Sequence, residues 1–288
     1  MGRTYDGAVE VKVMVTGAAA PAGATLLTQL RDRRIPVVAV DADHPSSTAT
    51  GHRVPPVSDP HRLIALRQLG LRENVTVLIP TLREELPQIA AAKSAFDPAV
   101  HVVVAGAGPV VIAQDLLYTA WQLQARGVPT PAFGTTADFP DAAAAFGALG
   151  GPLVIKSRTG GGRSRVVQGP DQLDWASLRN DDLIQRHVPG AEYLPVVYRP
   201  APRSGVRSLA IAAVRALGVT GPATVQVRRD ADGHPQVLKV LARFVASSHL
   251  VPELLDVCSP RPVPTRCRRR RVRCELGSPS RTPGPNSA

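Results

Sequence analysis

The 288-residue sequence predicts two folded domains of different class: an α/β domain built on a parallel sheet, then an α+β domain. Three observations carry that expectation. Continuous Val/Ile/Leu runs alternate with helical segments over the first hundred residues, as in strands covered on both faces. After about residue 109 the alternation gives way to closely spaced strand patterns and turn signals such as "RDADGHP". Aromatic residues make up only 4% of a chain that is 44% hydrophobic, so both cores must be aliphatic.

In the first domain "VEVKVMVTG" (9–17) reads as a strand, "APAGATLLTQLRDR" (20–33) as a helix and "IPVVAVDAD" (35–43) as a second strand. "DPHRLIALRQLG" (59–70) reads as a helix opened by Asp59, with Pro60 at its first position and Gly70 as its stop. "NVTVLIPT" (74–81), "REELPQIAAAKSAF" (83–96) and "AVHVVVAG" (99–106) add strand, helix and strand. Glu84 and Glu85 fall at a helix start, where carboxylates favour the positive dipole end, so capping is expected of them.

The second domain opens with "PVVIAQDLLYTAWQLQARG" (109–127), which reads as one long helix ending at Gly127, and "VPTPAF" leads out of it. A short helix is expected over 141–150, and "PLVIKS" and "SRVVQ" are strands flanking a glycine loop. Further strands are expected over 182–188, 192–199, 206–217, 223–230 and 235–244. The domain limits read as 1–108 and 109–257. Residues 258–288, rich in Arg, Pro and Ser without apolar periodicity, read as a basic disordered tail.

That tail holds eight arginines against one acid, Glu275, so most of the +11 net charge belongs to it. Arg268 to Arg271 have no interleaved aromatics, and a nucleic-acid role is not expected of them. Cys258, Cys267 and Cys274 match no usual zinc spacing, and three is an odd number for a disulfide framework. No apolar run reaches the roughly 18–20 residues a membrane span needs. With no signal-type stretch ahead of the first strand, a cytoplasmic protein with no membrane partner is expected, and an oligomer is compatible with the sequence.

Two glycine motifs bear on function. "VTGAAAPAGATLL" sets Gly17 and Gly23 between a strand and a helix, and Asp41 ends the next strand, as in a dinucleotide fold. The spacing departs from G-x-G-x-x-G, so a structural turn is the favoured reading and an NAD-linked oxidoreductase the weaker alternative. "PLVIKSRTGGGRSRVV" (152–167) sets Lys156 at the end of a strand and follows it with glycines and Arg158, Arg163 and Arg165. It reads either as a loop whose N–H groups and cations meet phosphate oxygens, or as a basic solvated hairpin. His187 and His234 read as a loop contact and an exposed turn residue rather than a catalytic pair.

In order along the chain, "VMVTGAAAPAGATLLTQL", "VLIPTLREELPQIA", "DLLYTAWQLQARGVPTP", "PLVIKSRTGGGRSRVV", "DLIQRHVPGAEY", "GVTGPATVQVRRDADGHPQVL" and "LARF" resemble the ATP-grasp superfamily. The branch they resemble includes the large chain of carbamoyl phosphate synthetase and related carboxylate–amine ligases. The resemblance implies a Rossmann-like leading domain, an ATP-grasp domain, ATP as cofactor and a small carboxylate substrate activated as an acyl phosphate before an amine attacks. It implies that Lys156 contacts phosphates, with Arg158 beside it, and that Gly160, Gly161 and Gly162 form the flap above them. Gln185 and His187 would border the adenine, Glu192 the ribose, Gln226 the metal, and Arg243 would stabilise phosphate during catalysis together with Lys156.

Departures from the family pattern are as informative. Asp115 is followed by Leu116, where such proteins carry a cation, and the usual Glu-x-Asn-x-Arg reads Lys239, Val240, Leu241, Ala242, Arg243. Magnesium requires hard oxygen ligands, so Mg2+ binding is doubtful. The charge of Lys239 would neutralise part of a triphosphate. The alternative to a working ligase is therefore a catalytically degenerate ATP-grasp protein acting as a nucleotide-binding or partner-binding module.

Overall fold

Described in the computed structural model are residues 11–43, 50–96, 100–160, 164–197 and 206–246. Gly161, Gly162, Arg163 and the 258–288 tail with its three cysteines lie outside them. The chain divides into two compact units, 11–105 with 243–246 and 106–242 among the described residues.

In the first unit the chain runs β1 (Val13–Thr16), α1 (Pro21–Asp32), β2 (Val37–Asp41), β3 (Thr50–Arg53), α2 (Arg62–Arg72), β4 (Val77–Ile79), α3 (Leu86–Ala91) and β5 (His101–Val102). The strands form a parallel sheet in the order β3-β2-β1-β4-β5. All of β1 and β4 is buried, as strands covered on both faces must be. The expected alternation of strand and helix is therefore present in the expected class of sheet.

Two details of this unit differ from expectation. Gly70 does not end α2 but lies inside it, buried, with a side chain's worth of room only as far as Val100. The helix ends two residues later and the chain turns at Asn74, which takes φ 52°. Glu85 does not cap α3 with its carboxylate. It is fully buried, where Oε2 accepts from Arg62 Nη2 at 2.7 Å and Oε1 accepts from the Thr16 hydroxyl and the Leu82 N–H. Arg62 also donates to the Pro55 carbonyl at 2.6 Å. A charge this deep is tolerated only with a partner, and Glu85 and Arg62 are each other's.

The second unit runs α4 (Ala107–Gln114), α5 (Leu116–Ala125), β6 (Phe133–Thr135), α6 (Ala142–Leu149), β7 (Leu153–Ser157), β8 (Arg165–Val167), β9 (Asp182–Arg186), β10 (Glu192–Tyr193), β11 (Val196–Val197), α7 (Val206–Ala216), β12 (Ala223–Arg229) and β13 (Pro235–Leu241). It holds two antiparallel four-stranded sheets, one in the order β6-β9-β7-β8 and the other of β10, β12 and β11 with β13 paired to β12. Leu153, Ile155, Val167 and Ile184 of the first pack on Ala145 and Leu149 of α6. The second sheet is backed by α7, with α4 and α5 against β13.

Four sequence expectations are corrected here. The long helix over 109–127 is two helices, because Asp115 adopts an extended backbone and its carboxylate accepts from the N–H groups of Leu117 and Tyr118 as the cap of α5. The expected strand over 206–217 is the helix α7. Val206, Leu209, Ala210, Ala213, Val214 and Leu217 are buried, a spacing of three and four that a strand could not bring to one side. The expected strand over 192–199 is broken at Leu194 and Pro195 into β10 and β11. The stretch at 133–135, expected only as a connection, is a strand paired to β9.

Candidate functional site

Strand periodicity sorts the second unit's side chains into an apolar and a polar set. On β7, Leu153 and Ile155 belong to the core against α6, so Val154 and Lys156 project from the other face. On β9, Ile184 shares that core and Gln185 shares the face of Lys156, since Val154 pairs with Gln185. Lys156 Nζ donates to Gln185 Oε1 at 2.6 Å. On β12 and β13, Val225, Val227, Val237 and Val240 are fully buried on one face. The opposite face carries Thr224, Gln226 and Arg228, with Leu241 opposite Thr224 and Lys239 opposite Gln226. Arg228 also pairs with Glu192 across the β10 ladder, Nε to Oε2 at 3.1 Å.

These two polar faces meet electrostatically. Burial first, and then the charges of Lys239 and Arg228, together lower the Lys156 pKa from its ordinary 10.5 to about 8. The His187 ring, half-buried, is held below its usual range by desolvation and then by Arg228. Its backbone N–H donates to the Pro152 carbonyl at 2.8 Å. Of the residues that the sequence nominates, Lys156 and Gln185 are joined by a hydrogen bond, Gln226 and Lys239 by strand register, and Lys156, His187 and Glu192 through the charge of Arg228. Arg228 joins them unforeseen. The signal for it was present, since it stands two residues from Gln226 and so on the same face of a strand.

Other nominated residues have different surroundings. Arg158 donates from Nε to both oxygens of Asp115, at 2.8 and 2.7 Å, and stacks over Tyr118 at 4.5 Å. The Leu116 N–H meets the Arg158 carbonyl at 2.9 Å, so the start of the glycine loop is tied to the cap of α5. Gly160 takes φ 88°, a conformation open to glycine and strained for other residues. Arg165 pairs with Ile155, which puts it on the face away from Lys156. Arg243 counts with the first unit, where Nη1 donates to the carbonyls of Thr81 and Phe244 and desolvation lowers its pKa. His234 is exposed in the β12–β13 turn, as expected.

The strand-to-helix turn at 17–23 is explained by packing. A Cβ on Gly23 would fall 2.1 Å from the Gly17 carbonyl oxygen, and Gly17 itself takes φ 60°. The Asp41 carboxylate accepts from the Ala19 N–H at 2.8 Å, which engages the group a dinucleotide ribose would need.

The residues that the resemblance nominates for a metal do not fit magnesium. Lys239 supplies an ammonium where a carboxylate is needed, and Leu241 supplies a hydrocarbon. Across from Leu241 the Thr224 hydroxyl is buried without a hydrogen-bond partner. The Glu192 carboxylate is engaged by Arg228.

No protein-family model and no curated protein matches the sequence. Among solved structures, the L-amino acid ligase of Bacillus licheniformis superposes with a TM-score of 0.65 at 20% identity, over 84% of this chain and 70% of that one. The N5-carboxyaminoimidazole ribonucleotide synthetase of Thermotoga maritima gives 0.63 at 18% identity, over 85% and 71%. The biotin carboxylase of Campylobacter jejuni, in a β,γ-ATP complex, gives 0.64 at 14%, over 89% and 72%. The chain has the ATP-grasp fold. Among the described residues, no helix is long and apolar enough to cross a membrane.

Proposed function

We propose that the second unit binds ATP in the cleft between its two antiparallel sheets, as a protein of the ATP-dependent carboxylate–amine ligase type. The observation that carries this reading is Lys156. It is largely buried on a strand, held by Gln185, and the charges acting on it from Lys239 and Arg228 are both of its own sign. Like charges gathered out of water are costly to the free protein and are relieved by a polyanion. Lys156 and Arg228 would meet the phosphates, the backbone at Gln185 and His187 would border the base, and Glu192 would border the ribose.

The reaction such a site serves moves the terminal phosphoryl group of ATP to a carboxylate, with ADP leaving. An amine then displaces phosphate from the acyl phosphate. Donors preorganised on phosphate oxygens would supply most of the rate. The order of the segments along the chain favours the carbamoyl phosphate synthetase branch, with a small carboxylate as substrate. A second reading, nucleotide binding without turnover, is favoured by Leu116, Lys239 and Leu241.

Calorimetric titration with ATP tests binding, and ADP release with mixtures of carboxylates and amines tests turnover. Lys156→Ala is expected to weaken ATP by about 2 kcal/mol, the scale of a charge-assisted hydrogen bond. Full affinity in that variant would remove Lys156 from the site. Binding without ADP release in any mixture would favour the second reading.

A further inference from the structure

Resting on the nucleotide reading above, we propose that the cleft takes its nucleoside triphosphate as the metal-free anion, with Lys239, Arg228 and Lys156 supplying the positive charge that magnesium supplies elsewhere. The geometry carries this. The register of β12 on β13 sets Lys239 opposite Gln226, with Arg228 two residues along on the same face. A register shift between Gln226 and Val227 keeps that ladder polar on one side and Val225, Val227, Val237 and Val240 buried on the other. Lys239 therefore stands on the face that a metal would need, and its charge is felt at Lys156 on the neighbouring sheet.

Among the described residues, oxygen donors at this position are few, and the one carboxylate is engaged. The Gln226 amide and the Thr224 hydroxyl share the face, the latter opposite an isobutyl group, and the Glu192 carboxylate pairs with Arg228. Magnesium demands near-octahedral oxygen coordination and gives up water reluctantly, so an ammonium beside this set excludes it. Charge balance points the same way. Lys156, Arg228 and Lys239 bring three positive charges together, with Glu192 paired to Arg228. The free triphosphate carries two more negative charges than its magnesium complex, and a cationic cleft prefers the larger charge. The same site would hold the nucleotide in its ground state while lacking a divalent ion to bridge the phosphates in transfer.

The test is calorimetric titration of the whole chain with ATP, once in EDTA and once in excess magnesium. Wild-type affinity is expected to be equal or greater in EDTA, by up to about 10-fold. The double substitution Lys239→Glu with Leu241→Asn, which restores an oxygen-donor pair and gives Thr224 a partner, is expected to invert that order. Should the double variant fail to fold, Lys239→Gln alone is expected to weaken ATP in EDTA by roughly 10-fold and to remove the preference. Wild-type binding only with magnesium would overturn the inference and leave the nucleotide reading standing. No binding of ATP in either condition would overturn both.

Discussion

Arg62 with Glu85 in the first unit, and Lys156 with Arg228 and Lys239 in the second, are both charges withdrawn from water, and they are built oppositely. The first is closed. Each charge of the Arg62–Glu85 pair has its counter-charge at 2.7 Å, and Thr16, Leu82 and Pro55 take up further hydrogen-bonding capacity. The second gathers charges of one sign, with Arg228 paired to Glu192 and the pKa of Lys156 pushed down by burial and then by the charges of Lys239 and Arg228. Balanced burial fixes a fold. Unbalanced burial is a standing cost that a ligand of opposite sign removes.

Removing one partner from the closed cluster is expected to have the largest effect. Glu85→Ala leaves Arg62 buried and uncompensated, and chemical denaturation should report a loss of about 3–5 kcal/mol. ATP affinity of the folded fraction should be unchanged. The like-charge cluster should respond with the opposite sign. Lys156→Met removes a desolvated charge and is expected to raise stability by about 1–3 kcal/mol while weakening ATP at least about 30-fold. A variant that lost both stability and affinity would erase the contrast between the two clusters.

The pH dependence sharpens the same contrast. The groups facing Lys156 are Gln185 on β9, Arg228 on β12 with its partner Glu192 on β10, and Lys239 on β13. Its folded pKa of about 8 lies below the ordinary 10.5, so the native state binds fewer protons than the unfolded chain between those values. Stability of the free protein should therefore rise as pH rises through that window, and the penalty is fully present below about 8. ATP needs the ammonium, so its affinity should fall across the same window, by up to about tenfold per pH unit. Denaturation and calorimetry at matched pH read the two slopes. The smallest effect is expected at Asp115, which caps α5 and holds Arg158. Asp115→Ala should cost about 1–2 kcal/mol of stability and raise hydrogen exchange over 116–118 and 158–160.

The parallel sheet of the first unit and most strands of the second were legible because apolar runs and turn residues announce strands strongly. The failures have physical causes. "VRSLAIAAVRAL" reads as a strand if its aliphatic density is weighed, and as α7 once the spacing of Val206, Leu209, Ala210, Ala213, Val214 and Leu217 is counted. Asp115 sits inside an apolar stretch whose helical character continues on both sides, so only its cap chemistry marks the break. Glu85 looks like an ordinary helix-start acid, because the arginine that neutralises it lies 23 residues earlier in sequence. Lys156, Gln185, Glu192 and Gln226 were nominated by resemblance. Arg228 was not, although its place two residues from Gln226 on the same strand face was a signal for it; its pairing with Glu192 across the ladder is what no local pattern reveals.

The direct test of a polyanion-seeking cluster is the dependence of affinity on phosphate number. Calorimetric titration with AMP, ADP and ATP in EDTA should give affinity that rises at each added phosphate, with the whole increment lost in Lys156→Met. Equal affinity for the three nucleotides, or an increment that survives in Lys156→Met, would contradict a phosphate site at Lys156, Arg228 and Lys239.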